Sequence, residues 1–93
     1  MATHNLTLIC GNAHPALGER LARELDVPIS RVEITTFADG ETKLHVSDDV
    51  RGKIVLVVQP TCAPVNDRLM VLALLADAAR AAGAAHITGV VPY

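Results

Sequence analysis

A chain of 93 residues suffices for one small domain, and its net charge of −2 excludes a basic surface of the kind that binds nucleic acid without sequence specificity. Its 51% hydrophobic and 19% charged residues exclude intrinsic disorder. Only 2% of the residues are aromatic, so we expect a core built from valine, leucine, isoleucine and alanine.

The first quarter of the chain predicts a strand followed by an amphipathic helix. Residues 6–10 form a short apolar run that Gly11 and Asn12 end. Pro15 suits the first turn of a helix, and residues 26–28 end that helix with a proline. The apolar side chains that recur every four residues on one helix face are Leu17, Leu21 and Leu25.

A β-hairpin and a buried strand are predicted next. Residues 32–37 are rich in β-branched side chains, Asp39 and Gly40 favour a turn, and residues 42–46 alternate polar and apolar side chains. The continuous aliphatic run at 54–58 is typical of a parallel strand that is covered on both faces.

A second helix and a last strand complete the predicted order. Asn66 or Asp67 can cap a largely apolar helix that extends to about Ala82, and residues 87–91 form the last strand. We therefore predict an α/β fold: a mostly parallel sheet with flanking helices and a protruding β-hairpin. Ligands bind in the loops beyond the carboxyl ends of such strands, and the chain stops where the loop after the last strand should follow. We therefore expect residues 1–93 to be the front part of a larger enzyme.

Two cysteines, Cys10 and Cys62, lie in or just after apolar runs, which favours buried, reduced thiols. The N-terminus shows no signal peptide, and the aliphatic stretch at 69–82 is too short and too charged to span a bilayer. The sequence thus indicates a cytoplasmic protein with no membrane partner.

Few residues suggest chemistry on their own. Residues 37–41 place the only phenylalanine beside two carboxylates at the predicted hairpin tip, and two interpretations stay equal. Either Phe37 folds back on the sheet beside a type I′ turn, or it offers a flat platform while the carboxylates accept hydrogen bonds from an amine or a ribose hydroxyl. Arg51 either holds a phosphate or, more simply, pairs with the neighbouring aspartates.

Three histidines are interpreted as structural, since they have no ligand partner at metal-binding spacing. They are His4, His45 and His86. His14, in the loop before the first helix, could cap that helix or bind a phosphate. We predict no metal site and no catalytic residue within the chain.

Four segments, in order along the chain, resemble ribose-phosphate pyrophosphokinase, also called phosphoribosyl pyrophosphate synthetase. They are residues 37–41 (FADGE), 50–52 (VRG), 58–70 (VQPTCAPVNDRLM) and 88–93 (TGVVPY). The resemblance implies two similar phosphoribosyltransferase-like domains, of which residues 1–93 are an incomplete first domain, truncated after the last strand. It also implies an enzyme of nucleotide biosynthesis that transfers diphosphate from ATP to ribose 5-phosphate, giving phosphoribosyl pyrophosphate and AMP.

The resemblance assigns roles to individual residues. Phe37 would stack on the adenine of ATP in a neighbouring subunit's site, and Asp39 and Glu41 would accept hydrogen bonds there, which implies a homo-oligomer. Arg51 matches an arginine of a regulatory phosphate site, although Asp49 replaces a serine found in some members. Mg²⁺ and the catalytic groups would bind or lie in parts absent from these 93 residues.

We therefore expect the chain alone to be inactive. The alternatives are a non-catalytic regulatory subunit that binds adenine nucleotides and an inert truncation.

Overall fold

Five strands and two helices follow one another in the part of the chain that the structure describes, residues 5–92 of a computed structural model. The strands are β1 (Leu6–Cys10), β2 (Val32–Thr36), β3 (Thr42–Val46), β4 (Ile54–Val58) and β5 (His86–Val90), and the helices are α1 (Pro15–Leu25) and α2 (Val65–Ala81). The predicted order of elements is confirmed, and most boundaries agree to within one residue. The ends of the chain, including His4 and Tyr93, lie outside the described residues.

Three strands form a parallel sheet in the order β1-β4-β5. The central strand β4 pairs with β1 from Leu6 opposite Ile54, and with β5 from Ile54 opposite His86. Val55, Val57 and Val58 of β4 are buried, as the continuous aliphatic run predicted. The sheet flanked by helices confirms the predicted α/β fold.

The two helices cover this sheet with separate apolar clusters. Helix α2 contributes Val71, Leu75 and Ala79 to a cluster that includes Ile9 and Val55 of the sheet. In the second cluster, Ala22 of α1 packs against residues of β1 and β4. Gly18 brings α1 close to β1, because a Cβ at this position would collide with the Cys10 sulfur.

Strands β2 and β3 form a separate antiparallel sheet that protrudes from the parallel one, as the predicted hairpin should. One face packs against the cluster under α2; its side chains are Val32, Ile34, Leu44 and Val46. At the base, the Arg31 backbone N–H donates to Asp48 Oδ2 at 2.7 Å, and the Ser47 N–H donates to the Arg31 carbonyl at 2.9 Å. The other face of the hairpin is exposed.

Two local predictions on α2 and its preceding loop are wrong. The helix begins at Val65 after Pro64, whose carbonyl accepts the Arg68 N–H at 3.1 Å, so Asn66 and Asp67 lie inside the first turn and do not cap it. Cys62, in the loop between β4 and α2, is exposed rather than buried. Cys10 is half-buried.

Candidate functional site

The tip of the hairpin is a three-residue loop closed by hydrogen bonds. The Phe37 N–H donates to the Glu41 carbonyl at 2.8 Å, and the Gly40 N–H donates to the Phe37 carbonyl at 2.9 Å. Gly40 has a φ of +92°, the left-handed conformation that a glycine adopts at the end of such a loop. These contacts hold the backbone of residues 37–41 in one tight loop.

The type I′ turn considered from the sequence is wrong. That turn needs positive φ at both central residues, whereas Gly40 is the sole residue of this loop with positive φ. The pairing of Phe37 with Glu41 accounts for the difference, because it lengthens the loop from two residues to three. Only an αL glycine at the third position is then required.

Phe37 lies on the exposed face of the hairpin and is 45% exposed. Alternate residues of a strand share a face, which places Phe37 with Glu33 and Thr35, away from the side chains that pack on α2. The ring lines a shallow cavity of about 390 Å³ together with Lys43 and His45. One ring face can therefore meet a flat ligand without displacing any part of the core.

The two carboxylates of the tip differ in their contacts. Asp39 Oδ1 accepts the Glu41 N–H at 3.0 Å, so Asp39 stabilises the turn with this oxygen. The Glu41 carboxylate has no hydrogen-bond partner among residues 5–92. The structure thus brings Phe37, Asp39 and Glu41 together on one exposed turn.

Arg51 lies at the opposite end of the parallel strands. It precedes β4 and contacts the turn at Gly83 after α2, whereas Gly40 shares a cavity with Asn12 and Pro64, which follow β1 and β4. The Arg51 N–H donates to Asp49 Oδ1 at 3.0 Å. Asp49 therefore places negative charge beside Arg51, which opposes binding of a phosphate there.

Sequence reasoning missed a polar cluster at the carboxyl ends of β1 and β4. Gln59 is fully buried, and its Oε1 accepts the Ala13 N–H at 3.2 Å while its Nε2 donates to Asn12 Oδ1 at 3.2 Å. Arg68 joins the cluster by donating from Nη1 to the same Asn12 oxygen at 3.1 Å. The signal in the sequence was a glutamine directly after an aliphatic strand. A glutamine at such a position has to bury its amide.

His14 is placed by the structure as the N-cap of α1. Its Nδ1 accepts the Leu17 N–H at 3.1 Å. Within residues 5–92, no three His, Cys, Asp or Glu side chains are grouped so that they could hold a metal ion. Neither described helix combines the length and apolar character that crossing a membrane requires.

The fold is of the phosphoribosyltransferase type. A purine phosphoribosyltransferase of Pyrococcus horikoshii superposes with a TM-score of 0.69 over 94% of this chain and 58% of that protein. Its sequence identity is 15%, so this likeness concerns the fold alone.

A closer likeness identifies the family. Residues 6–93 match the family described as the N-terminal domain of ribose phosphate pyrophosphokinase. The chain is 45% identical over 86 residues to the ribose-phosphate pyrophosphokinase of Helicobacter pylori, which covers 92% of this chain and 27% of that protein. The relative in Burkholderia pseudomallei is 42% identical, over the whole of this chain and 30% of its own length.

A solved structure agrees with these sequences. Phosphoribosylpyrophosphate synthetase from Mycobacterium smegmatis superposes with a TM-score of 0.90 at 37% identity, over 96% of this chain and 30% of that one. The chain belongs to the family of ribose phosphate pyrophosphokinase N-terminal domains. It spans less than a third of the length of these relatives.

Proposed function

We propose that this chain is the N-terminal part of an oligomeric ribose-phosphate pyrophosphokinase and supplies the hairpin that holds the adenine of ATP. The complete enzyme would transfer diphosphate from ATP to ribose 5-phosphate, giving phosphoribosyl pyrophosphate and AMP. Family membership supports the reaction. The observation that carries the role of the chain itself is the exposed turn with Phe37, Asp39 and Glu41.

Each side chain of the turn has a distinct task in this proposal. The exposed face of Phe37 stacks on the adenine ring, and a stack of this kind contributes about 1–3 kcal/mol per base. Glu41, with no partner among the described residues, accepts from the exocyclic amine. Asp39 accepts with its second oxygen while its first one holds the turn.

The protruding position of the turn supports an oligomer. Phe37 lies on the hairpin face that points away from the core of its own chain, so a ligand stacked on it meets few other groups of that chain. A neighbouring subunit would supply the rest of the nucleotide site.

Mg²⁺ and the diphosphoryl-transfer groups belong to the parts of the enzyme outside these residues. A cytoplasmic location is included because Cys10 and Cys62 are both unpaired. The proposal does not include regulation by a phosphate at Arg51, because the Asp49 carboxylate already accepts the Arg51 backbone N–H.

A chimera tests the proposal: this chain joined to the remaining part of the Helicobacter pylori relative. We expect the chimera to form AMP in a reaction that depends on ribose 5-phosphate, and the 93-residue chain alone to form none. Phe37→Ala should raise the KM for ATP by about tenfold, as loss of one base stack implies. The KM for ribose 5-phosphate should stay unchanged.

Leu25→Ala is the matched control, because Leu25 is an apolar side chain of similar exposure (48%) at the end of α1. An equal KM for ATP in Phe37→Ala and Leu25→Ala would contradict the role of the hairpin. Two results together would favour the regulatory-subunit alternative: the chimera forms no AMP, and the 93-residue chain alone still binds AMP.

A further inference from the structure

The exposed face of the β2-β3 hairpin carries polar side chains beside a single aromatic ring. Alternate residues of a strand share a face, and directly opposed residues of an antiparallel pair share it too. Three opposed pairs form this face: Glu33 with His45, Thr35 with Lys43, and Phe37 with Glu41. All six of these residues are exposed.

Two side chains of opposite charge flank the Phe37 ring from the β3 side. Glu41 lies directly opposite Phe37, and Lys43 lies diagonally opposite, one pair closer to the base of the hairpin. Opposed residues have Cβ atoms about 4.5–5.5 Å apart and diagonal neighbours about 7–8 Å apart, a distance that long side chains span. Lys43 and the Phe37 ring line the same cavity of about 390 Å³. A flat ligand stacked on Phe37 therefore has both charged groups within reach along one of its edges.

The ammonium group of Lys43 is left without an opposite charge by its own chain. Its opposed residue, Thr35, is neutral, and no carboxylate of residues 5–92 lies within 4.0 Å of the Lys43 nitrogen. Glu33 also lines the cavity, but it lies opposite His45. The Glu41 carboxylate takes part in no ion pair of residues 5–92 either. This face thus offers a ligand one cationic donor and one carboxylate acceptor side by side.

We propose that Lys43 is a specificity-determining residue of the nucleotide site: it donates a hydrogen bond to N7 of the stacked adenine. The edge of adenine that carries N7 shows this acceptor beside one donor, the exocyclic amino group. Lys43 matches the acceptor, while Glu41 accepts from the amino group. The inference rests on the adenine role proposed above for Phe37 and Glu41, and it adds a further residue and the edge by which the base is recognised.

Lys43 and Glu41 together distinguish adenine from other bases, which Phe37 alone does not. Stacking on an aromatic ring tolerates any base, because every base has a flat π face. Guanine shows two acceptors on the same edge, N7 and O6, so its O6 would face the Glu41 carboxylate with no proton between the two oxygens. A pyrimidine has no N7 and gives Lys43 no acceptor at that position. Selection of adenine therefore needs the cation as well as the carboxylate.

The test compares ATP with 7-deaza-ATP, in which a C–H group replaces N7 and the phosphates are unchanged. The protein is the chimera of this chain with the remaining part of the Helicobacter pylori relative. We expect its KM for 7-deaza-ATP to exceed its KM for ATP by about tenfold, since a hydrogen bond from a charged group is lost. In Lys43→Ala, the KM for ATP should rise by about the same factor, and the two nucleotides should become equal.

Lys53→Ala is the matched control, because Lys53 is the other lysine of the chain and precedes β4, at the end of the sheet away from the hairpin tip. It should keep the tenfold preference for ATP. Lys43→Arg retains a cationic donor and should keep part of that preference. The proposal is overturned if Lys43→Ala keeps the preference, whether both KM values rise together, as for a contact to the phosphates, or neither value changes.

Failure of this inference and failure of the proposed function give different results. If Phe37→Ala raises the KM for ATP while Lys43→Ala keeps the preference for ATP over 7-deaza-ATP, the hairpin holds adenine but Lys43 does not bind N7. If Phe37→Ala leaves the KM for ATP unchanged, the hairpin does not hold adenine and both proposals fail.

A direct titration decides the matter if the chimera is inactive. The 93-residue chain is titrated with AMP and with 7-deaza-AMP, and NMR spectra follow the backbone amides of Phe37 and Lys43. AMP should bind the unchanged chain about tenfold more tightly than 7-deaza-AMP, and the two should bind Lys43→Ala equally. Equal affinities in the unchanged chain, or no saturable shift with either nucleotide, would refute the role of Lys43.

Discussion

The parallel sheet and the hairpin are built from strands of equal length but are stabilised in different ways. Strand β4 is covered on both faces, and Val55, Val57 and Val58 are buried. The hairpin buries one face alone, and its tip extends beyond the side chains that pack on α2. Binding elements are drawn from the less stable parts of a fold, so the difference favours the hairpin as the part that meets a ligand.

The first prediction tests whether stability is concentrated under α2. Leu75 is fully buried in the centre of the larger cluster. Leu75→Ala should lower the free energy of unfolding by about 2–5 kcal/mol, because it removes a buried side chain and leaves a cavity. Urea denaturation of the 93-residue chain measures this change, with the slope checked against that of the unchanged chain.

Leu69→Ala is the control on the same helix, because Leu69 is 46% exposed. Its effect should stay within about 0.5–1 kcal/mol. If the two substitutions cost the same, the cluster under α2 is not the stabilising core of the sheet and the contrast with the hairpin is lost.

The second prediction acts on the hairpin alone. Gly40→Ala forces an alanine to a φ of +92°, with no heavy atom within 4 Å of the new Cβ, so the cost is confined to the backbone. The free energy of opening the tip should fall by about 1–2 kcal/mol. Hydrogen exchange of the Phe37 amide, which donates to Glu41, measures this opening directly.

Gly89→Ala is the matched glycine control. Gly89 lies in β5 without a positive φ, and the added Cβ makes one ordinary contact, at 3.8 Å to Val91. This substitution should leave exchange at Phe37 unchanged. If the amides of β4 lost protection together with Phe37 in Gly40→Ala, the hairpin and the sheet would open as one unit.

The sequence allowed the fold to be predicted because each strand has a distinct local pattern. The run at 54–58 is aliphatic throughout, and the run at 42–46 alternates, so the buried and half-covered strands could be told apart. The start of α2 was missed because Asn66 and Asp67 are common caps, whereas the chain already turns at Val65 after Pro64. Local preference was outweighed there by the geometry of the preceding loop.

The candidate sites were predictable to different degrees. Phe37, Asp39 and Glu41 are neighbours in the sequence, so a single turn brings them together. The polar cluster joins Gln59 to Asn12 and Arg68 to Asn12 across 47 and 56 residues. No pattern within a window of sequence encodes contacts of that separation, and they emerge only when β1 and β4 pair.

The third prediction concerns the two cysteines and has the smallest effect. Burial, and secondly the negative charge of Glu19, raises the pKa of the Cys10 thiol, whereas Cys62 lies on the exposed loop after β4. The folded chain therefore holds the Cys10 proton at a pH where the unfolded chain, with an ordinary thiol pKa near 9.0, loses it. The stabilisation that the protonated Cys10 thiol gives is complete below the pKa of the unfolded chain's thiol. It is lost as the pH rises through the higher pKa of the folded chain.

Urea midpoints measured at rising pH check the sign. The midpoint should fall above about pH 9 in the unchanged chain and in Cys62→Ser, with a smaller fall in Cys10→Ser. At pH 8, a thiol reagent should modify Cys62 faster than Cys10, because the thiolate is the reacting form and Cys62 is exposed. Equal rates would mean that β1 opens as readily as the loop after β4, which contradicts a sheet more stable than the exposed segments around it.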